Sequence, residues 1–132
     1  LAYKKSDDSS VLSFSHIVRD GIAFSEFELI GDTVDLSISE WAEVLHLSER
    51  TLIRYKKDKK RFGNLESDRI LQVILLYGKG IDVFGSSEKF NSWMRTVCSA
   101  LDENVPVSLL TSSYGIQLLK DELTRIEYGV LA

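Results

Sequence analysis

Seven basic side chains and two acidic ones fall between Glu49 and Arg61, a local balance of +5. A guanidinium can donate two parallel hydrogen bonds to O6 and N7 of guanine, whereas an ammonium binds phosphate oxygens as a point charge. Arg50 and Arg54, four residues apart, are therefore candidate readers of base edges. Lys56, Lys57, Lys59, Lys60 and Arg61 are candidates to hold phosphates, which sets register rather than sequence preference. That chemistry needs a helix with one face kept outward. In a helix running from about Glu49 to Asp58, Ser48, Glu49, Arg50, Ile53, Arg54 and Lys57 point away from the body.

The remaining reactive residues offer little. His16 and His46 lie far apart, and neither has a metal-ligand partner at i+3 or i+4. Cys98 follows an apolar stripe and has no histidine placed by any motif to activate it, so it reads as a small core hydrophobe. The carboxylate pairs Asp7 with Asp8 and Glu26 with Glu28 sit on solvated segments. Gly78-Lys79-Gly80 lacks the strand–turn–helix setting of a phosphate loop. Trp41 and Trp93 read as core residues. No catalytic constellation and no cofactor are expected, so the chain is not read as an enzyme.

Taken whole, the 132 residues carry a charge of −4, which by itself argues against a nucleic-acid partner. The average hides a split, because outside the +5 segment the chain carries −9. No apolar run reaches the roughly 18 residues that would span a bilayer. The start, LAYKKSDDSS, has no apolar signal core, so export is not suggested. A lone cysteine suits a reducing cytoplasm. Because Met94 is the only methionine, the native start is expected upstream of Leu1.

The elements that must position these groups are helices. Val11, Leu12, Phe14, Ile17 and Val18 form a rough stripe ending at Gly21, a C-cap candidate. Ser25 with Glu28 and Ser37 with Glu40 have capping-box spacing, and Ser48 is a third cap. Phe24 with Leu29, Leu36 with Trp41, and Leu47 with Leu52 stand at staple spacing around those caps. Asn64 is the next cap candidate, opening a nearly all-apolar central helix in which Gly78 and Gly80 allow a kink or break. Ser86 or Ser87 starts another helix, with Phe90, Trp93, Met94 and Val97 on one face. Pro106 suits the first turn of a short helix ending near Leu110. A last helix spans about Ser113–Tyr128, with Ile116, Leu119, Leu123 and Ile126 inward and Gly129 as its C-cap. The fold class is all-α.

Ile38 to Tyr55 has the spacing of a helix-turn-helix. Ala42 is the small residue where the two helices cross, and Trp41, Leu45, Leu47, Leu52 and Tyr55 take the apolar places. The turn place, which needs positive φ and usually holds glycine, is His46. Histidine is among the few other residues enriched in that conformation. The second helix is then the recognition helix, whose N-terminal part meets bases in the major groove.

With those residues in hand, the segments GIAFSEFELIGDTVDLSISEWAEVLHLSERTLIRYKK, ESDRILQVILLYGKGIDVFG and PVSLLTSSYGIQLLKDELTRIEYGVLA resemble the Xre/MbcA/ParS antitoxins, partners of RES-domain toxins. The most specific block is Pro106, Leu109, Leu110, Gly115, Leu123, Ile126, Glu127 and Gly129. His46 in place of the turn glycine, and the glycines of the central helix, depart from the family pattern. The resemblance implies an N-terminal, Xre-like helix-turn-helix lobe over residues 1–63 and a small helical toxin-binding lobe over 64–132. It also implies a division of labour. Ser48, Glu49, Arg50, Arg54, Lys56, Lys57 and Lys60 would bind operator DNA and repress the chain's own operon. Glu127, Tyr128, Gly129, Val130, Leu131 and Ala132 would plug the pocket of an NAD-consuming RES toxin. A pocket made for pyrophosphate is cationic, so an acidic tip with a terminal carboxylate complements it.

A homodimer is expected, because paired recognition helices gain affinity and half-site spacing. The first helix or the apolar central helix could supply the interface. The alternative is a stand-alone helix-turn-helix repressor whose C-terminal lobe only dimerises or senses a ligand. A toxin partner discriminates the two readings.

Overall fold

A computed structural model describes residues 8–31 and 33–129. The described residues form seven α-helices: α1 Asp8–Asp20, α2 Phe24–Ile30, α3 Ile38–Leu45, α4 Glu49–Asp58, α5 Asn64–Phe84, α6 Ser87–Met94 and α7 Ser113–Gly129. Two 3-10 segments, Ser99–Leu101 and Pro106–Thr111, lie between α6 and α7. Among the described residues no strand forms, only isolated bridges of Ala23 with Arg61 and of Cys98 with Asn104.

The core is built around α5, which packs against α1, α3, α6 and α7. Its Ile70, Val73, Leu76 and Tyr77 are at most 1 % exposed, as expected of a helix apolar nearly all round. An aromatic cluster closes the N-terminal half. Phe27 meets Trp41 edge-on at 4.8 Å and Phe62 at 5.1 Å, a favoured geometry for rings whose edges and faces carry opposite partial charge. A second cluster joins Tyr77 of α5 to Phe90 of α6 at 5.0 Å, with Trp93 beside Phe90.

Several boundaries differ from the sequence expectation, each for a packing reason. The helix expected to open at Ser25 begins at Phe24, with Ala23 as N-cap. Phe24 and Phe27 must both be buried, and Phe24 N–H already donates to Lys60 O at 3.2 Å. Glu26, not Glu28, then reaches back to accept from Ala23 N–H at 2.9 Å. Leu29 is 74 % exposed and makes no staple with the buried Phe24. Likewise α5 is capped by Gly63 rather than Asn64, because Phe62 N–H is held by Ile22 O and fixes where the helix can start. Glu66 Oε1 accepts from Gly63 N–H at 3.0 Å.

The central helix runs unbroken through Gly78 and Gly80. Gly80 serves close approach instead: a Cβ there would lie 2.2 Å from the ring of Phe90. Val97 lies past the end of α6 and is 56 % exposed, off the face shared by Phe90 and Met94. Gly129 is the last residue of α7 rather than a cap beyond it.

Arg95, just past α6, reaches back to α3. Its guanidinium pairs with both Glu40 oxygens and donates from Nη2 to Asp35 O at 2.7 Å. The Arg95 hydrogen bond holds the Glu40 carboxyl below its ordinary value, against the opposing effect of burial. A carboxyl lowered in the folded state adds stability above its unfolded value, and that gain is lost as pH falls through the folded one. Arg95→Ala is thus expected to be less stable by about 1 kcal/mol or less near neutrality. The gap should close in acid. A gap that stays constant in urea titrations from neutral to acid pH would show that the pair contributes no pH-dependent stability.

Candidate functional site

The helix-turn-helix is assembled by local rules. Ser37 Oγ accepts from Glu40 N–H at 3.1 Å while Glu40 Oε1 accepts from Ser37 N–H at 2.9 Å, a complete capping box. Ala42, 4 % exposed, sits in the crossing with α4. His46 takes φ 56°, in the left-handed region, and ends α3. Ser48 then caps α4 by accepting from Thr51 N–H at 3.0 Å, and its own hydroxyl donates to Thr51 Oγ1 at 2.9 Å. Leu52, fully buried, holds the helix down.

On this frame the basic residues separate into two groups. Arg50, Arg54 and Lys57 are exposed along α4, and among the described residues no ion pair or hydrogen bond holds their side chains. Ile53, 58 % exposed, stands between them as an apolar spot that a thymine methyl could meet. Glu49 is exposed in the first turn, where a carboxylate suits the helix end. Lys59 is the exposed C-cap of α4 at φ 51°, and the other three are engaged with the protein. Lys56 Nζ lies 3.3 Å from Glu28 Oε2, both half exposed. Lys60 Nζ sits over the Tyr55 ring, 5.6 Å from its centroid. Arg61 Nη1 donates to Gly21 O at 2.7 Å, tying the end of the helix-turn-helix to the α1–α2 turn. Arg61, expected to hold phosphate, thus has a structural partner. Its spacing in the sequence gave no sign of a contact 40 residues away.

At the other end, α7 carries Glu127, Tyr128 and Gly129, all exposed. Val130, Leu131 and Ala132 of the expected plug lie outside the described residues. The base of α7 is seated tightly. Gly115 lies so close to the Pro106–Thr111 segment that a Cβ would stand 2.0 Å from Leu109 O. Arg125 Nε donates to Glu122 Oε1 at 2.9 Å, and Glu122 is only 7 % exposed.

Side-chain contacts besides the Arg95 pair join the lobes. His46 Nε2 donates to Thr111 O at 2.7 Å, so the non-glycine turn residue bridges to the segment preceding α7. Arg69 of α5 donates to Val44 O at 3.2 Å and lies 3.5 Å from Leu110 O. Nothing in local spacing pairs residues 65 apart, so these links were invisible in the sequence.

An all-helical chain with a capped helix-turn-helix, an outward basic recognition helix and a second helical lobe defines the class of two-lobed helix-turn-helix DNA-binding proteins. Residues 13–74 match the family described as the antitoxin Xre-like helix-turn-helix domain. Residues 79–129 match the antitoxin Xre/MbcA/ParS C-terminal toxin-binding domain. A curated relative, antitoxin Xre of Yersinia enterocolitica, is 32 % identical over 110 residues, covering 76 % of this chain and 74 % of the relative. The chain belongs to the Xre antitoxin family. That family is one of antitoxins, not enzymes, and it joins DNA binding to toxin binding. Among the described residues no helix is long and apolar enough to cross a membrane.

Proposed function

We propose that this chain is a cytoplasmic antitoxin that neutralises a RES-domain, NAD-consuming toxin by blocking its active-site pocket with the C-terminal end, and that it represses its own operon through α4. The observation that carries the toxin half is the exposed end of α7, where Glu127 and Tyr128 project within the segment matching the toxin-binding domain. The DNA half rests on the exposed face of Arg50, Arg54 and Lys57, which has no partner among the described residues, with Ser48 capping that helix and Glu49, Lys56 and Lys60 flanking it. Residues 1–63 form the DNA-binding lobe in this reading and residues 64–132 the toxin-binding lobe. The active unit is a homodimer. The apolar surface of α5 is taken up inside the chain, so pairing falls to α1, which exposes Leu12 and Ile17.

Removing residues 129–132 tests the plug. The truncated chain is expected to keep its melting temperature and operator affinity, and to lose protection of cells expressing the RES toxin encoded beside it. Full protection by the truncated chain would place inhibition elsewhere.

A further inference from the structure

Among the described residues, the outer face of α7 carries a row of large exposed side chains. Tyr114 is 88 % exposed, Leu118 53 % and Tyr128 64 %. With the exposed Asp121 and Arg125 they follow spacings of four and three, so they share one helix face. The opposite face is the one that anchors the helix: Ile116, Leu119 and Leu123 are buried at 2 % or less. At 1.5 Å per residue the row is about 21 Å long. Single exposed apolar residues are ordinary on a protein surface, but an aligned row of them marks a contact surface.

Its composition is that of a binding face. Tyrosine and arginine are the residues over-represented at interface centres, where they supply large area with few rotatable bonds. Arg125 is fixed in advance, since Glu122 beneath it accepts from Nε at 2.9 Å and from Nη2. Among the described residues nothing accepts from its Nη1 hydrogens, which a partner could use. Gln117, beside the row, donates from Nε2 to Asp121 Oδ1 within it at 3.0 Å and gives the face a polar edge.

We propose that the row from Tyr114 to Tyr128 is the docking face for the toxin, which offers a groove with apolar sites for Tyr114, Leu118 and Tyr128 and a hydrogen-bond acceptor opposite Arg125. This rests on the toxin-binding reading of the C-terminal lobe. The matched toxin-binding domain includes the whole of α7. The row also runs directly into Glu127 and the terminal residues assigned to the plug. Six terminal residues cannot provide the roughly 800 Å² per partner that a stable complex buries. A helix face of this length beside them supplies the missing area.

The test uses the full chain with the protein encoded by the neighbouring gene, co-expressed and purified. Leu118→Arg and Tyr114→Ala change exposed positions, so both variants are expected to melt as the parent does, to bind operator as it does, and to keep its mass in light scattering. Each is expected to bind the toxin at least about thirtyfold more weakly in calorimetry. Parental toxin affinity in both variants, with the parent itself binding, overturns this inference and leaves the proposed function standing. A parent chain that does not bind the toxin overturns the proposed function, and this inference with it. A fall in mass in the variants would seat a second copy of the chain on the row and overturn the inference.

Discussion

Gly115→Ala is expected to lower the melting temperature by roughly 10 °C, the shift that about 3 kcal/mol produces in a domain of this size. The added methyl would stand 2.0 Å from Leu109 O, 2.9 Å from Leu109 C and 3.1 Å from Leu109 Cβ. Two of those are backbone atoms, so no side chain can swing aside. The Pro106–Thr111 segment is itself held down by the fully buried Leu110 and by the His46 contact to Thr111 O. Either α7 lifts off or the segment moves, and either motion strips contacts from Ile116 and Leu119. Because that damage is at the root of the toxin-binding lobe, toxin affinity should fall further than operator affinity. A melting temperature equal to the parent's in circular dichroism would mean that the helix and segment slide past each other freely, and the close-approach account would be wrong.

The second large effect is on DNA. Replacing Arg50 and Arg54 together by alanine is expected to weaken operator binding by about 2–6 kcal/mol, if each contributes the 1–3 kcal/mol typical of a bidentate contact to guanine. In affinity that is a loss between roughly thirtyfold and twenty-thousandfold. Binding to unrelated DNA should drop much less, so the discrimination ratio falls. Lys57→Ala differs in kind: it should weaken binding to all sequences alike and reduce the salt slope by about one. Both arginines lie on the surface with no partner among the described residues, so the double variant should fold as the parent does. Operator binding by the double variant at parental strength would remove α4 from the role of recognition helix.

Much of this was legible in the sequence because its determinants are local. The Ser37–Glu40 box, the Ser48 cap and a left-handed His46 each follow from a few consecutive residues, and α4 begins and ends at the residues that the pattern indicates. The helix starts at Phe24 and Asn64 were misplaced for the opposite reason. The contacts of Phe24 N–H with Lys60 O and of Phe62 N–H with Ile22 O set them, and both join segments far apart in the chain. Gly80 looked like a weakness in a helix and is instead a contact with Phe90, which only the fold brings alongside. In the sequence the basic run is one patch, yet Arg61 serves the α1–α2 turn while Arg50, Arg54 and Lys57 have no partner among the described residues. The exposed row on α7 is not legible in the sequence, because helical periodicity marks the buried face and gives the outward residues no signal of their own.

One consequence follows from the unbroken course of α5 through both matched domains. The two matched domains meet inside this helix, between residues 74 and 79, so no flexible tether separates them. Exchanging toxin-binding lobes between relatives therefore requires a splice within a helix, and the splice has a phase. Each inserted or deleted residue would turn one lobe by about 100° and shift it by 1.5 Å against the other. The contacts of His46 with Thr111 O, of Arg69 with Leu110 O and of Arg95 with Glu40 would then be pulled out of register. Productive chimeras should be confined to junctions that keep the helical count, and a library of random crossovers should show survivors recurring at about that period.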